Sequence, residues 1–266
     1  MIKAVSIAKK IYVALIFLFL YAPIATLIVL SFNASKTRAK WGGFTLKWYI
    51  SLAQDETILG ALGTTLLIAL ISSVAAVIIG TVCCIAMTGM KRKSQALLMA
   101  VTNIPMLNAD IVTGISLMLL FISFGFRFGF GTILLSQITF NIPYVILCIM
   151  PRMKQLNPSV YEAALDLGAS PVSAFFKVTL PDLVPGILSG FLMAFTMSLD
   201  DFIITHFTKG AGIDTLSTKI YTEVKKGIKP EMYALSTIIF LTVLVLLFLV
   251  NVTPEKNEKK VSKNGD

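Results

Sequence analysis

Six long apolar stretches occupy most of this sequence and restrict the folds open to it. Each reaches the roughly 20 helical residues that cross the hydrocarbon core of a bilayer. They run at about 11–31, 60–88, 96–124, 131–150, 183–205 and 232–251. Of the 266 residues, 56% are hydrophobic and 14% are charged, which is too little polar surface for a water-soluble domain of this size. The sequence therefore predicts an all-α integral membrane protein with six transmembrane helices in a single domain, residues 1–251.

Lysines at positions 3, 9 and 10 precede the first apolar stretch, and a secretory signal peptide also begins with basic residues. This apolar stretch is longer than a signal core, and no small-residue cleavage site follows it. We therefore expect an uncleaved first span.

The basic residues indicate the orientation of the spans. The net charge is +9, but these residues lie in the short connections between apolar stretches, where membrane proteins concentrate them, so they do not indicate nucleic-acid binding. The short loop Lys91-Arg92-Lys93 and the lysine-rich tail, residues 252–266, favour cytoplasmic termini. This orientation places the connection at 152–182 in the cytoplasm.

That connection carries the signals of two short helices. Asn157-Pro158 and Ser170-Pro171 each supply an N-cap followed by proline at the first helical position. Gly168 lies where the first helix should end, and Pro181 should end the second. Long connections with their own capped helices are often functional, so we interpret this one as a docking element. The alternative is a loop that folds over its own helix bundle.

The residues of this connection resemble a known motif. Glu162-Ala163-Ala164, Gly168 six residues after Glu162, and Val178-Thr179-Leu180-Pro181 are similar to the EAA motif of bacterial ABC importer permeases. Val178 departs from the isoleucine usual there. The resemblance implies the type I (MetI-like) permease fold and an ATPase-docking role for the matching residues and the aspartate between them: Glu162, Ala163, Ala164, Asp166, Gly168, Leu180 and Pro181.

The same resemblance implies an assembly. Cytoplasmic ATPase subunits would dock on this permease, a second permease of different sequence would complete the pathway, and an extracytoplasmic binding protein would deliver the cargo. The chain has no GxxxxGK[ST] phosphate loop. We therefore expect a non-catalytic subunit that binds no cofactor, with ATP and Mg²⁺ used by the ATPase.

Acidic residues inside the apolar stretches are the second chemical signal. An ionised carboxylate in a bilayer costs roughly 2.5 kcal/mol or more, so Asp110, Asp200 and Asp201 are candidates for a cation pathway, with Asn108 beside them. A straight rise of ~1.5 Å per residue puts Asp110 about two-thirds of the way outward and the pair near the outer end. The alternatives are structural: Asp200 and Asp201 reach the interface or cap the end of the fifth span, and Asp110 caps the second half-helix of the third span with help from Asn108.

Prolines predict where two spans depart from regular helix. Pro105 predicts a break between two half-helices in the third stretch, because proline removes a backbone hydrogen bond and disfavours helix in the preceding residue. Asn141 and Pro143 indicate a milder break in the fourth stretch. Unwound backbone at such depth must lie within protein or line a cavity.

The acids and their neighbours refine the resemblance. Residues 162–170, 198–202 and 108–112 are similar to spermidine/putrescine permeases, which implies polyamine import across a bacterial plasma membrane. Permeases for iron, sulfate or molybdate share the motif and remain alternatives. An ion-coupled secondary transporter is a further alternative, which the docking segment argues against. A metal-dependent membrane enzyme is disfavoured because adjacent helical aspartates diverge and lack further ligands.

Overall fold

The computed structural model describes residues 2–36, 40–227 and 229–252. Within these ranges the chain is helical apart from connecting segments and one isolated bridge between Asn33 and Phe44. The helices are α1 (Ile2–Ser31), α2 (Lys47–Gln54), α3 (Glu56–Thr88), α4 (Arg92–Leu107), α5 (Asp110–Ser123), α6 (Phe130–Gln155), α7 (Pro158–Asp166), α8 (Pro171–Ala174), α9 (Leu180–Asp200), α10 (Ile203–Thr208), α11 (Leu216–Lys226) and α12 (Pro230–Val252). A π-helical segment, Phe175–Thr179, joins α8 to α9.

In the described part of the chain, four helices are long and apolar enough to cross a membrane: Lys9–Ser31, Glu56–Thr88, Phe130–Gln155 and Pro171–Asp200. The pair α4 and α5, bent by 102°, forms a fifth span if it crosses as one. Helix α12 falls on the sixth predicted stretch. The all-α membrane fold is confirmed, whereas the sixth crossing and the single-domain boundary stay predictions. The predicted basic tail lies outside the described residues from 253 onward.

By its internal contacts the chain divides into two compact units. Of the described residues, the first unit comprises 2–36, 40–59, 220–227 and 229–248, and the second comprises 60–219 and 249–252. In the first unit, the end of α1 is tied to α2 by polar contacts. Trp48 Nε1 donates to the Asn33 carbonyl at 2.7 Å, and the Ser31 and Tyr49 hydroxyls are 2.6 Å apart.

Ion pairs join the end of α11 to the start of α12 within the same unit. The largely shielded Glu223 carboxylate lies 3.1 Å from Lys229 Nζ and 3.3 Å from Lys226 Nζ. The hydrogen bond from Lys229 is the main reason that the pKa of Glu223 is lowered from its usual value. Because the folded-state pKa is lowered, this contribution to stability is present above the pKa of an unfolded glutamate. It is lost as the pH falls through the lowered value.

Helix α6 is the centre of the second unit, where it contacts α4, α5, α9 and α10. Its inward residues Val145, Ile146, Ile149 and Met150 are buried in a cluster with residues of α3 and α9. Glycines allow the close approach. A Cβ added at Gly80 of α3 would lie 2.7 Å from Val145 Cγ1, and one added at Gly190 of α9 would lie 3.3 Å from the same atom. Such small-residue contacts are the usual way that helices pack in membranes.

We expect Gly80→Ala to destabilise the second unit. The added methyl group must displace Val145, whose β-branched side chain is stiff, and overpacking of this kind costs roughly 1–3 kcal/mol. Gly63→Ala is the matched control, because Gly63 lies in the same helix with open space around its Cβ position. The melting temperature of the detergent-purified assembly should fall for the first variant and stay level or rise for the second. Equal melting temperatures would contradict the packing described here.

The third predicted span is broken into two half-helices near Pro105, as predicted. Pro105 lies inside α4, and the chain unwinds three residues later, where Asn108 and Ala109 take extended dihedral angles. Proline in the last turn removes only one hydrogen bond, and the Asn108 amide still donates to the Ile104 carbonyl at 3.2 Å. The depth predicted for Asp110 assumed a straight helix, and the 102° bend removes that basis.

The fourth and fifth spans differ from the predictions. Helix α6 runs unbroken through Asn141 and Pro143. The second helix of the connection does not end at Pro181, since helical backbone is continuous from Pro171 to Asp200. The Leu180 amide donates to the Phe175 carbonyl across a π-type turn, and Pro181 falls in the first turn of α9. Proline has no amide donor, and the π-type turn directly before it accommodates the interruption of the helical hydrogen bonds.

Candidate coupling surface and acidic sites

Local capping builds the helix pair at residues 157–181, here called the coupling segment. The Asn157 side chain accepts a hydrogen bond from the Ser159 amide at 3.1 Å and starts α7. The Ser170 hydroxyl accepts from the Ser173 amide at 3.2 Å and starts α8. Each capping residue is followed by proline at the first helical position. Both predicted helix starts are confirmed.

Gly168 makes the turn between the two helices. Its φ of +87° lies in the left-handed region. Its amide donates to the Leu165 carbonyl at 2.9 Å, and the next amide, of Ala169, reaches back to the Ala164 carbonyl at 3.0 Å. These two bonds form the helix ending that glycine favours, because residues with a Cβ are strained at this φ. No atom lies within 4 Å of the Cβ position, so backbone conformation and not space requires glycine.

The coupling segment presents an apolar surface without cover in this chain. Leu167, beside the glycine turn, is 89% exposed, and the large side chains Val160, Val172 and Phe176 are each more than half exposed. The motif residues Glu162, Ala163, Asp166 and Gly168 are exposed as well, and Ala164 is half-buried. Apolar side chains grouped on one surface indicate contact with a partner.

The second half of the motif lies further along the segment. Leu180 is half-buried and Pro181 is exposed, both in the first turn of α9. A cleft of about 290 Å³ is lined by residues from the end of α3, from α7 and from the π-helical segment. Thr88, Tyr161, Phe175 and Asp182 are among them. The structure thus presents the Glu162–Gly168 motif as an exposed helix and turn, and places Leu180 and Pro181 where that segment enters α9.

Asp201 fixes the corner between α9 and α10, residues 200–202. One carboxylate oxygen accepts from the Ile204 amide at 3.1 Å. The other accepts from the Thr205 amide at 2.8 Å, from the Thr205 hydroxyl at 2.8 Å and from Gln137 Nε2 at 2.6 Å. The carboxylate therefore caps the start of α10, whereas the structural alternative placed the cap at the end of the fifth span, and it has little capacity left for a further donor.

Asp200 and Asp110 are placed differently. Both are exposed, and neither forms a hydrogen bond or ion pair with any residue that the structure describes. Asp200 is the last residue of α9. Asp110 is the first residue of α5, where a carboxylate is favoured by the helix dipole, but it makes no capping hydrogen bond and neither does Asn108.

Helix α5, which begins at Asp110, packs against α10, which begins shortly after Asp200. Gly114, one turn after Asp110, packs against Ile204 Cα and the Ile203 carbonyl, just beyond Asp200. Asp110 also lies near Tyr144 of α6.

Two residues of this site, Gln137 and Thr205, were not predicted from sequence. Gln137 is fully buried on α6 and donates to both Asp201 and the Thr205 hydroxyl. The available signal was the pair Gln137 and Asn141, polar residues four apart in an apolar stretch and therefore on one face of a helix. Among the residues that the structure describes, no three His, Cys, Asp or Glu side chains group into a possible metal site.

These features define a helical membrane protein of the transporter type, with a broken span and an exposed helix pair between two other spans. Residues 76–263 match the family described as binding-protein-dependent transport system inner membrane component. The chain belongs to this family, whose members are permease components of transport systems and not enzymes.

Its relatives agree with this assignment. The chain is 38% identical to the putrescine transport system permease protein PotI of Escherichia coli K12, covering 92% of this chain and 89% of the relative. It is 36% identical to the spermidine/putrescine permease protein PotC of the same strain, covering 89% of each chain. The Haemophilus influenzae protein of that name is 34% identical over 94% of this chain and 97% of the relative.

Solved structures share the fold at low identity. A bacterial ABC transporter involved in the import of the acidic polysaccharide alginate matches with a TM-score of 0.71 and 14% identity, covering 96% of each chain. The same kind of transporter, in complex with an alginate pentasaccharide-bound periplasmic protein, matches with a TM-score of 0.72 and 16% identity. A neighbour that handles a polyanion shows that this fold alone does not define the charge of the cargo.

Proposed function

We propose that this chain is a permease subunit of an ATP-driven importer of putrescine and spermidine. The observation that carries the proposal is identity of 34–38% with polyamine permeases over about nine-tenths of the chain. The exposed carboxylates of Asp110 and Asp200 support it, because protonated amines seek carboxylate partners. These carboxylates would repel a polyanion.

The coupling segment is proposed to dock on a cytoplasmic ATPase subunit, with Glu162, Ala163, Ala164, Asp166, Gly168, Leu180 and Pro181 at or near the contact. Its uncovered apolar side chains, foremost Leu167, support this role. The ATPase uses ATP and Mg²⁺, and this chain binds neither. A second permease of different sequence completes the pathway, and the termini lie on the cytoplasmic side, as the basic loops indicate.

The cargo route is proposed to pass Asp110 and Asp200, with Asn108 at the break beside the first. An extracytoplasmic binding protein delivers the polyamine to the extracytoplasmic side of the permease. Asp201 was a candidate for the cation pathway in the sequence, and here it is assigned a structural role only. It holds the corner in place and does not bind the cargo, since its carboxylate already accepts four hydrogen bonds.

The proposal is tested by uptake in proteoliposomes that contain this chain with its ATPase, second permease and binding protein. We expect labelled putrescine or spermidine to accumulate only with internal ATP and Mg²⁺, and excess unlabelled polyamine to compete where sulfate and iron do not. Accumulation driven by a proton or sodium gradient without ATP would support the ion-coupled alternative. Competition by sulfate or iron alone would support a different cargo.

A further inference from the structure

Gln137 joins α6 to the corner between α9 and α10. Its Nε2 lies 2.6 Å from an oxygen of the Asp201 carboxylate and 3.1 Å from the Thr205 hydroxyl, and its side chain is fully buried. A second contact, from the Thr132 hydroxyl to the Thr208 carbonyl at 2.7 Å, ties the other end of α10 to α6. Helix α10 is thus held against α6 at both ends.

The chemistry of Asp201 determines how the Gln137 amide is oriented. The carboxylate can only accept, so the nitrogen end of the amide must face it, and turning the amide would set two oxygens 2.6 Å apart. The Gln137 oxygen then has no hydrogen-bond partner among the described residues. A buried amide oxygen that lacks a donor is energetically unfavourable, so the donor end of Gln137 supplies what the side chain contributes at this corner.

The effect of the bond is to fix where Asp200 lies. The corner is held by the Asp201 amide on the Met197 carbonyl at 3.1 Å, by the capping bonds to α10, and by Gln137 from a separate helix. Asp200 directly precedes this anchored residue and has no partner of its own among the described residues. Asp200 is the last residue of α9, so the corner that Gln137 anchors begins directly after it.

We propose that Gln137 is a positioning residue for cargo recognition, which orients Asp200 toward the amine by clamping Asp201 and Thr205. The inference rests on the proposed function, in which Asp200 meets a protonated amine. Gln137 itself does not touch the cargo. Removing the clamp should leave the carboxylate of Asp200 present but misaligned, so that apparent affinity falls while the assembly persists.

The test uses substitutions that separate loss of the Gln137 and Thr205 hydrogen bonds from a change in side-chain size. Gln137→Leu removes the hydrogen-bond donor and leaves an apolar side chain of similar size. Gln137→Glu replaces the donor with a carboxylate that repels the carboxylate of Asp201. Thr205→Val removes the hydroxyl at nearly constant shape, and Thr205→Ser retains it as the conservative control. We expect the KM for putrescine uptake to rise about 3- to 10-fold for Leu and Val, and further for Glu. The KM should stay near the unsubstituted value for Ser, because serine keeps the hydroxyl that bonds to Asp201 and Gln137.

The readouts distinguish positioning from a merely structural role. Uptake is measured in proteoliposomes with the complete complex, normalised to assembled complex. A structural role alone would lower the amount of complex or kcat with KM unchanged, and that outcome for Gln137→Leu and Thr205→Val would overturn the inference. If Asp200→Asn itself leaves KM unchanged, then the proposed cargo contact fails instead. If the KM rises for Asp200→Asn but is unchanged for all Gln137 and Thr205 variants, the positioning role of Gln137 is refuted while the proposed cargo contact of Asp200 stands.

Discussion

Gly168→Val should reduce ATP-dependent uptake at least about tenfold while the chain still enters the membrane. At φ +87° a β-branched residue is strained, and a non-glycine residue in a sparsely populated conformation costs about 1–3 kcal/mol. The turn would relax, and the Gly168 and Ala169 bonds that set α8 relative to α7 would be lost. Leu167 and the motif helix would then present a different surface to the ATPase. The measurement is uptake together with co-purification of the ATPase.

Gly168→Asn is the matched control for that experiment. Asparagine tolerates the left-handed region better than other residues with a Cβ, and no atom lies within 4 Å of the position. We therefore expect the Asn variant to retain most of the uptake and of the bound ATPase. Normal uptake and normal ATPase retention by the Val variant would show that the turn geometry does not matter for coupling.

Asp110→Asn and Asp200→Asn should each weaken polyamine uptake by about 10- to 100-fold in apparent affinity. A hydrogen bond to a charged group contributes about 1.5–3 kcal/mol, and asparagine keeps the shape while removing the charge that an ammonium needs. Because both acids are exposed and lack hydrogen-bonded partners in the described chain, the substitutions disturb no contact within the fold. Complex assembly and melting temperature should therefore stay near those of the unsubstituted complex.

Glu56→Gln is the control for general electrostatic effects. Glu56 is exposed in the first turn of α3, as Asp110 is in the first turn of α5, so both substitutions remove one favourable charge from a helix start. Uptake affinity should be unchanged by Glu56→Gln. Equal losses for all three variants would mean that net charge, and not these two positions, determines the effect. Unchanged affinity for both aspartate variants would contradict a role in cargo contact.

The helical membrane fold could be predicted because its signals are local. Long apolar stretches specify spans wherever they occur, and the N-caps at Asn157 and Ser170 specify helix starts through their own side chains. The glycine turn at position 168 follows from one residue's freedom to adopt positive φ. In each case the sequence pattern and the physical cause lie within a few residues of each other.

The positions of breaks and the role of Asp201 depend on contacts between distant segments. Pro105 correctly indicated a nearby break, although Asn108 and Ala109 are the residues that adopt the extended backbone, and Pro181 is accommodated by the π-type turn before it. Asp201 and Asp200 are identical in type and adjacent, yet one caps α10 and bonds to Gln137 while the other is exposed. Nothing in the dipeptide itself separates them, because the difference comes from the start of α10, which supplies three of the four hydrogen bonds to Asp201, and from Gln137 of α6.

Polyamine-stimulated ATP hydrolysis tests the central claim most directly. The complete complex is reconstituted with its binding protein, and ATPase activity is measured against putrescine concentration for the unsubstituted chain, Gly168→Val and Asp200→Asn. We predict saturable stimulation for the unsubstituted complex, little or no stimulation at any concentration for Gly168→Val, and stimulation shifted to higher putrescine for Asp200→Asn. Hydrolysis that is indifferent to putrescine in the unsubstituted complex, or putrescine uptake that continues without ATP, would contradict this account.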